Sequence, residues 1–218
     1  MGSLLGVVLA GGDSLRFGRP KALTHLGGRP MAAWARDALA SHFHRLVTIS
    51  NDPDVARTLG IPGRRDRVPG LGPMGGLLTA LEWAGEEGMT GVFLLACDLP
   101  LVGAELVGRI VREWRPGALA AVPGSYGPRG LEPLCGAYSV ECLPLVRKVV
   151  SGGDRSLAGL LTDLEAQTIP AADLGCREDV TMAFSNVNTP EEGRRVEKLL
   201  LRGGSRAERG PGEGGSDA

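Results

Sequence analysis

The stretch LLGVVLAGGDSLRFGRPK, residues 4–21, joins a continuous apolar run to a glycine-rich loop. Leu4–Ala10 has no polar side chain, which is typical of a parallel strand covered on both faces. Gly11 and Gly12 follow at once, and glycine lets backbone N–H groups approach a ligand without hindrance from a Cβ atom. This order predicts a ligand-binding loop at the carboxyl end of the first strand, where α/β sheets bind ligands.

Positively charged side chains belong to the same loop. Arg16 and Lys21 stand within the stretch that follows the glycines, so the loop is expected to attract an anion such as a phosphate. The spacing excludes a Walker A loop, which requires G-x-x-x-x-G-K-[ST]. A plain glycine turn with surface cations is the alternative that the loop alone leaves open.

Composition limits the classes of protein that need to be considered. The chain has 218 residues, 43% hydrophobic and 22% charged, as is ordinary for a globular protein. A net charge of −1 gives no basic field for nucleic acid or an anionic membrane, so neither is expected as a partner. No apolar run approaches the roughly 20 residues that span a bilayer. We expect a cytoplasmic protein with a domain over residues 1–202 and a disordered tail over 203–218, which lacks large apolar side chains.

Four cysteines are spread through the chain without a C-x-x-C pair, which argues against a zinc cluster or a disulfide framework. We expect reduced and mostly buried thiols at these positions, which are Cys97, Cys135, Cys142 and Cys176.

Apolar strands alternate with helical patterns along the first half of the chain. Apolar residues of the segment 31–39 recur at helical spacing, and Leu46–Ser50, Gly91–Cys97 and Leu119–Val122 are predicted as strands. This alternation predicts an α/β fold, a single three-layer Rossmann-like domain with a mostly parallel mixed sheet.

The second half of the chain is less regular. Leu131–Ser139 is predicted as a strand pair or an extended segment, Glu141–Val150 as a helix, and Ala166–Pro170 as a short strand. A final helix is marked by Thr189, which can act as its N-cap, and by Glu192, which completes a capping box.

Three glycines of GLGPMGG, residues 70–76, fit the dinucleotide fingerprint G-x-G-x-x-G. That fingerprint requires a buried strand directly before it, whereas residues 62–69 are polar and end in a proline. The context disfavours an NAD-dependent enzyme. It leaves a turn that starts a helix, or a substrate loop whose N–H groups accept an anion.

The pattern LAGGxxxRxGxxK of residues 9–21 resembles the signature loop of nucleotidyltransferases with a Rossmann-like, GT-A-type domain. With four further stretches in matching order it is similar to the molybdenum cofactor guanylyltransferase family over residues 4–201. Related cytidylyltransferases usually carry LAAG, so the glycine at position 11 favours guanine. The four stretches are RVPGLGPMGG (67–76), ACDLP (96–100), LEPLCGAY (131–138) and FSNVNTPEE (184–192).

The resemblance implies a role for each matching residue. Arg16, Lys21 and Asp98 would be catalytic, with Gly12, Arg16 and Lys21 at the nucleotide phosphates and the segment 9–11 at the guanosine. Asn51 is a further candidate beside the nucleotide, although its register is open. The nucleotide-binding residues implied are Leu9, Ala10, Gly11, Gly12, Lys21, Asp66 and Asp98.

Asp98 is also the implied ligand of a magnesium ion. Mg²⁺ in proteins takes one or two carboxylates together with substrate phosphates and waters, and Asp98 directly follows a predicted strand. The alternative, an N-cap for the next helix, is weakened because Pro100 and Leu101 separate Asp98 from that helix.

The pterin side of the site is implied at Gly75, Asn186 and Asn188. The two asparagines alternate about Val187, so both are expected on one side of an extended segment. Capping of the following helix is the alternative role for this segment. Pro20, where guanylyltransferases commonly carry an acidic residue, leaves room for a relative with another substrate.

The implied reaction transfers GMP from GTP to molybdopterin-bound molybdenum cofactor and releases pyrophosphate. The implied partners are GTP, the molybdenum cofactor, and molybdoenzymes or their chaperones. A cytidylyl- or sugar-1-phosphate nucleotidylyltransferase and a nucleotide-binding relative without turnover remain as alternatives.

Overall fold

A computed structural model of the chain describes residues 3–11, 20–128, 130–153 and 156–207, with side chains up to residue 200. The predicted loop residues Gly12 and Arg16 lie outside these ranges.

The strands of the described residues form one large mixed sheet and a small hairpin. The sheet order is β5-β4-β1-β6-β8-β7-β9, and every neighbouring pair is parallel except the two that involve β8. The hairpin pairs β2 with β3. The strands are β1 (Leu4–Leu9), β2 (His25–Leu26), β3 (Arg29–Pro30), β4 (Leu46–Ile49), β5 (Gly63–Arg64), β6 (Gly91–Ala96), β7 (Ala120–Pro123), β8 (Cys135–Ser139) and β9 (Gln167–Ile169).

Helices cover both faces of this sheet and bury a hydrophobic cluster on each. One cluster includes side chains of α1, α2, α4, α7 and α8, and the other includes side chains of α3, α5 and α6. The expected three-layer α/β architecture with a mostly parallel sheet is confirmed. The helices are α1 (Met31–Ala40), α2 (Pro53–Leu59), α3 (Pro73–Glu86), α4 (Ala104–Glu113), α5 (Leu143–Ser151), α6 (Leu157–Asp163), α7 (Ala171–Leu174), α8 (Arg177–Ala183) and α9 (Pro190–Ala207).

A third, smaller cluster ties the last helix to the start of the chain. Its buried members are Leu26, Met31, Val187 and Val196, so α9 packs against β2 and α1. The capping box predicted for α9 is confirmed, because Thr189 Oγ1 accepts the Glu192 N–H at 3.2 Å. The helix runs into the segment assigned to a tail, 203–218, and the disorder of that tail stays a prediction.

The structure differs from the sequence expectations where elements are short. Helix α2 was not predicted, although Asp52 caps it by accepting the Asp54 N–H at 2.8 Å and Gly60 ends it with φ of 65°. Helices α6, α7 and α8 were not predicted either. The extended segment 131–139 contributes one strand, β8, and an isolated bridge between Gly124 and Leu131.

The expected burial of the thiols is confirmed for three of the four cysteines. All four thiols are free, three of them are buried, and Cys176 is exposed. In the described part of the chain, no helix combines the length and apolar character required to cross a bilayer.

Close packing at the sheet generates the first prediction. A Cβ atom on Gly91 would lie 2.5 Å from the carbonyl oxygen of Tyr138, so Gly91→Ala should lower the free energy of unfolding by about 1–3 kcal/mol. Gly85→Ala is the matched control in α3, where a Cβ meets no atom within 4 Å. The control should raise stability by about 0.5–1 kcal/mol. Urea denaturation measures both, and equal stability of the two variants would contradict the packing.

Candidate functional site

The carboxyl ends of three parallel strands meet at one edge of the sheet. Leu9 is paired with Ile49 of β4 and with Ala96 of β6. The Ala10 N–H donates to the Ile49 carbonyl at 2.9 Å, and the Cys97 N–H donates to the Leu9 carbonyl at 3.0 Å. The start of the glycine-rich loop therefore leaves the sheet between the ends of β4 and β6.

A lysine joins two further segments at this edge. Lys21 Nζ donates to Asp98 Oδ2 at 2.9 Å and to Asn188 Oδ1 at 2.8 Å. Lys21 begins a short 3-10 helix, Asp98 lies in the turn after β6, and Asn188 lies just before α9. The structure thus brings together three residues that the sequence analysis assigned to catalysis, the metal and the pterin.

The other carboxylate oxygen of Asp98 is available for a ligand. Oδ1 is buried and has no hydrogen-bond partner among the described residues. The backbone of Asp98 is fixed, because its carbonyl accepts the Val187 N–H at 3.0 Å. Such an oxygen fits a divalent cation, which readily takes a carboxylate ligand. In the described ranges no group of three or more His, Cys, Asp or Glu residues could hold a metal ion, so phosphates and waters would have to complete the coordination.

A second carboxylate, Asp66, lies near the beginning of the loop. A Cβ atom on Gly11 would stand 3.6 Å from Asp66 Oδ2, and one on Gly76 would stand 3.6 Å from Oδ1. Asn51 Oδ1 accepts the Asp66 N–H at 3.2 Å, which links the ends of β4 and β5. Burial raises the pKa of Asp66, while a long hydrogen bond of 3.5 Å, donated by Asn51 Nδ2 to Asp66 Oδ2, lowers it by less. Oδ1 of Asp66 is buried without a partner in the described part of the protein, so this carboxylate is poorly compensated.

The glycines of residues 70–76 start a helix and let it approach β1. Gly70 and Gly72 have φ of 83° and 56°, and α3 begins at the next residue. A Cβ atom on Gly76 would come within 2.3 Å of Leu9 Cδ1, so the Leu9 side chain would have to shift to admit a larger residue. Upstream lies the two-residue strand β5, which is paired only with β4 and is not the buried central strand that a dinucleotide fingerprint needs.

The three residues assigned to the pterin do not lie in one contact network. A Cβ on Gly75 would stand 3.0 Å from the Val68 carbonyl oxygen and 3.9 Å from Asp66 Cγ, so Gly75 lies beside Asp66. Asn186 and Asn188 are both exposed and flank the buried Val187, as their alternation predicted. The pterin roles of all three stay predictions.

The thiol at this edge is not a ready nucleophile. Cys97 is buried, and burial together with the neighbouring Asp98 raises its pKa to about 12. Because thiolates and not thiols are nucleophilic, the burial of Cys97 disfavours a covalent cysteine intermediate.

Sequence reasoning missed two contacts of this site. It assigned Lys21 and Asn188 to different substrates, and it treated Asn51 and Asp66 as separate candidates, whereas each pair is hydrogen-bonded. The sequence carries no local signal for either pair, because their partners lie on different strands or loops.

The fold and this edge of the sheet define the class of protein, a nucleotidyltransferase. The chain belongs to the MobA-like NTP transferase family, whose domain model matches residues 6–168, more than half of its length.

Named relatives and solved structures agree with this membership. A molybdenum cofactor guanylyltransferase of Cereibacter sphaeroides is 33% identical over 201 residues, covering 91% of this chain and 98% of that protein. A probable molybdenum cofactor guanylyltransferase of Rhodopirellula baltica is 32% identical, with 87% and 89% covered. The fold matches molybdopterin-guanine dinucleotide biosynthesis protein A of Archaeoglobus fulgidus with a TM-score of 0.75, at 22% identity over 91% of this chain and 100% of that one.

The Lys21–Asp98 pair generates a stability prediction. Its side chains are only 11% and 24% exposed, so Lys21→Met leaves a partly buried carboxylate without its counter-ion. We expect the free energy of unfolding to fall by about 1–3 kcal/mol. The double variant Lys21→Met/Asp98→Asn removes both charges and should recover part of the loss in chemical denaturation. A double variant less stable than Lys21→Met would contradict the pairing.

The raised pKa of Asp66 generates a prediction on pH. Because the folded pKa lies above its ordinary value of 3.8, folding disfavours the ionised form, and Asp66→Asn should raise Tm at pH 7. The difference in Tm between Asp66→Asn and the wild type should shrink as the pH falls through the raised pKa, because the wild-type carboxylate becomes protonated there. Thermal melts from pH 7 to pH 3.5 measure it, with Asp54→Asn on the exposed face of α2 as control. A gain that is independent of pH would show that burial of charge is not the cause.

Proposed function

We propose that the chain transfers GMP from GTP to the terminal phosphate of molybdopterin-bound molybdenum cofactor and releases pyrophosphate. The observation that carries the proposal is the Lys21 ammonium, held by Asp98 and Asn188 at the edge where β1 and β6 end. An ammonium has three N–H donors, and the described residues take two of them, which would leave one for a substrate oxygen. The names of the relatives in this family support the same reaction.

The chemistry requires charge neutralisation and no general base. The acceptor is a phosphate monoester whose second pKa lies near 6, so it is largely ionised at pH 7. Two like charges about 4 Å apart repel by roughly 4 kcal/mol at an effective dielectric constant of 20. Lys21 would offset this repulsion, aided by Arg16 and the N–H group of Gly12 in the roles that the resemblance implies.

Asp98 would hold a divalent cation, which we propose is Mg²⁺. Oδ1 of Asp98 is buried and has no hydrogen-bond partner among the described residues, which supports this assignment, and Oδ2 accepts a hydrogen bond from Lys21. The bound ion would supply Lewis-acid stabilisation of phosphate oxygens. With Asp98 as the protein carboxylate, the remaining ligands would come from the triphosphate and from water.

Asp66 would select the base. A carboxylate has two acceptor oxygens, and the Watson–Crick edge of guanine offers two adjacent donors, N1–H and N2–H₂. Cytosine offers N4–H₂ beside the acceptor N3, which would face a carboxylate oxygen and be repelled. Asp66 lies beside Gly11, and its buried Oδ1 has no partner in the part of the chain that the structure describes, which supports guanine as the base. Leu9 and Ala10 would line the guanosine side.

The pterin would approach from the Asn188 side of Lys21, because Asp66 lies at the other side of the loop start. Asn186 shares the exposed side of this segment and would contact the same substrate. Molybdoenzymes or their chaperones as receivers of the product, and the cytoplasmic location, belong to the same proposal. The three buried free thiols are consistent with a reducing compartment.

Pyrophosphate release tests the function. With purified molybdenum cofactor and Mg²⁺, the protein should turn over GTP in preference to CTP. Asp98→Asn should lower kcat by about 100-fold because transition-state charge is no longer neutralised. Asp54→Asn, on α2, is the matched control and should keep full activity. Pyrophosphate release only with sugar 1-phosphates as acceptors would indicate a sugar-1-phosphate nucleotidylyltransferase instead. Tight GTP binding without pyrophosphate release would indicate a nucleotide-binding relative without turnover.

The same assay tests the role of Asp66. Asp66→Asn keeps one acceptor and introduces an N–H₂ donor, so the ratio of kcat/KM for GTP to that for CTP should fall roughly tenfold. An unchanged ratio would remove Asp66 from base selection, whatever the absolute rate.

A further inference from the structure

The carboxylate of Glu192 accepts one hydrogen bond more than a capping box requires. In that motif the side chain at the third helical position accepts the N–H of the N-cap residue. Glu192 Oε2 accepts the N–H of Thr189 at 2.9 Å, and it also accepts the N–H of Asn188 at 2.6 Å. The additional donor belongs to the residue whose side chain binds Lys21.

These contacts hold the main chain of Asn188 from both sides. On one side, Glu192 fixes its N–H. On the other, Val187 is fully buried in the third cluster and donates its N–H to the Asp98 carbonyl at 3.0 Å. With its backbone anchored, the amide of Asn188 is presented to the Lys21 ammonium at 2.8 Å.

We propose that Glu192 is a positioning residue of the transfer reaction. By holding the N–H of Asn188, it directs the amide oxygen at Lys21 and so sets where the ammonium stands between Asp98 and the incoming phosphates. The effect of Glu192 on turnover rests on the proposed function, whereas its effect on the position of the Lys21 ammonium does not. Glu192 acts only through Asn188.

A comparison of Thr189→Ala with Glu192→Ala distinguishes this positioning role from ordinary helix capping. Thr189 Oγ1 accepts the Glu192 N–H, so Thr189→Ala removes half of the capping box and leaves the contact between Glu192 and Asn188 possible. Glu192→Ala removes the other half of the box together with that contact. If Glu192 only caps α9, the two variants behave alike in every measurement.

Chemical labelling of Lys21 tests the hold on the ammonium without any substrate. The chain has three lysines, and Lys148 and Lys198 are exposed, whereas the Lys21 side chain is 11% exposed and doubly hydrogen-bonded. Reductive methylation followed by mass spectrometry gives the rate at Lys21 relative to Lys148. Glu192→Ala should raise this ratio about fivefold, the factor for one hydrogen bond of typical net strength.

The controls fix the cause of the increase. Glu191→Ala removes the same charge from the first turn of α9, where Glu191 pairs only with Arg194 among the described residues, and it should leave the ratio unchanged. Glu192→Gln keeps an acceptor oxygen and should restore the wild-type ratio. A ratio in Glu192→Ala no higher than in Thr189→Ala overturns the proposal.

A double-mutant cycle on turnover tests the link to the reaction. Glu192→Ala should lower kcat about tenfold through misplacement of Lys21, with KM for GTP within about twofold of wild type. Because Glu192 acts through Asn188, Glu192→Ala/Asn188→Ala should be no slower than Asn188→Ala. Additive losses overturn the link. If the wild-type protein releases no pyrophosphate, the proposed function fails, and the labelling ratio still decides whether Glu192 positions Lys21.

Discussion

Parallel pairing of β1 with β4 on one side and β6 on the other is the constraint on which the site depends. In a parallel sheet, neighbouring strands end at the same edge, so the segments after Leu9, Ile49 and Ala96 emerge side by side. These segments carry the glycine-rich loop, Asn51 and Asp98. All three strands are almost fully buried, so this edge is supported by a part of the sheet that is packed on both faces. A site that binds two polyanions needs such a support, because the protein charges that offset the repulsion between the polyanions must stay in place.

The site keeps polar groups that the folded protein alone does not satisfy. One oxygen each of Asp66 and Asp98 is buried without a hydrogen-bond partner in the described part of the chain. Unpaired buried carboxylate oxygens destabilise a fold, so the hydrophobic clusters on both faces of the sheet must offset them. A cation at Asp98 and a base edge at Asp66 would each supply the missing partner. In our proposal, substrate binding therefore also supplies partners to the buried oxygens of Asp66 and Asp98.

The chain returns to its own beginning to complete the site. Residues 184–192 lie far along the sequence from the first strand, yet Val187 is buried against β2 and α1. The cluster around Val187 fixes where α9 starts, and the capping box fixes how the chain enters it. Because Gly27 donates its N–H to Glu197 of α9 at 2.8 Å, the same helix also supports the hairpin that follows Lys21. Helix α9 therefore helps to position both Asn188 and the segment that follows Lys21.

Local patterns in the sequence determined the apolar strands β1, β4 and β6, the α/β class, the cap at Thr189 and the position of Asp98 at a strand end. These features follow from periodicity, capping and strand order, which act over a few residues. Only the tertiary structure decided that β8 inserts antiparallel between β6 and β7, that Gly75 lies with Asp66, and that Asn188 lies with Lys21. The last contact joins residues 167 positions apart. No local propensity encodes such a separation, because it depends on how buried surfaces pack once the helices and strands have formed.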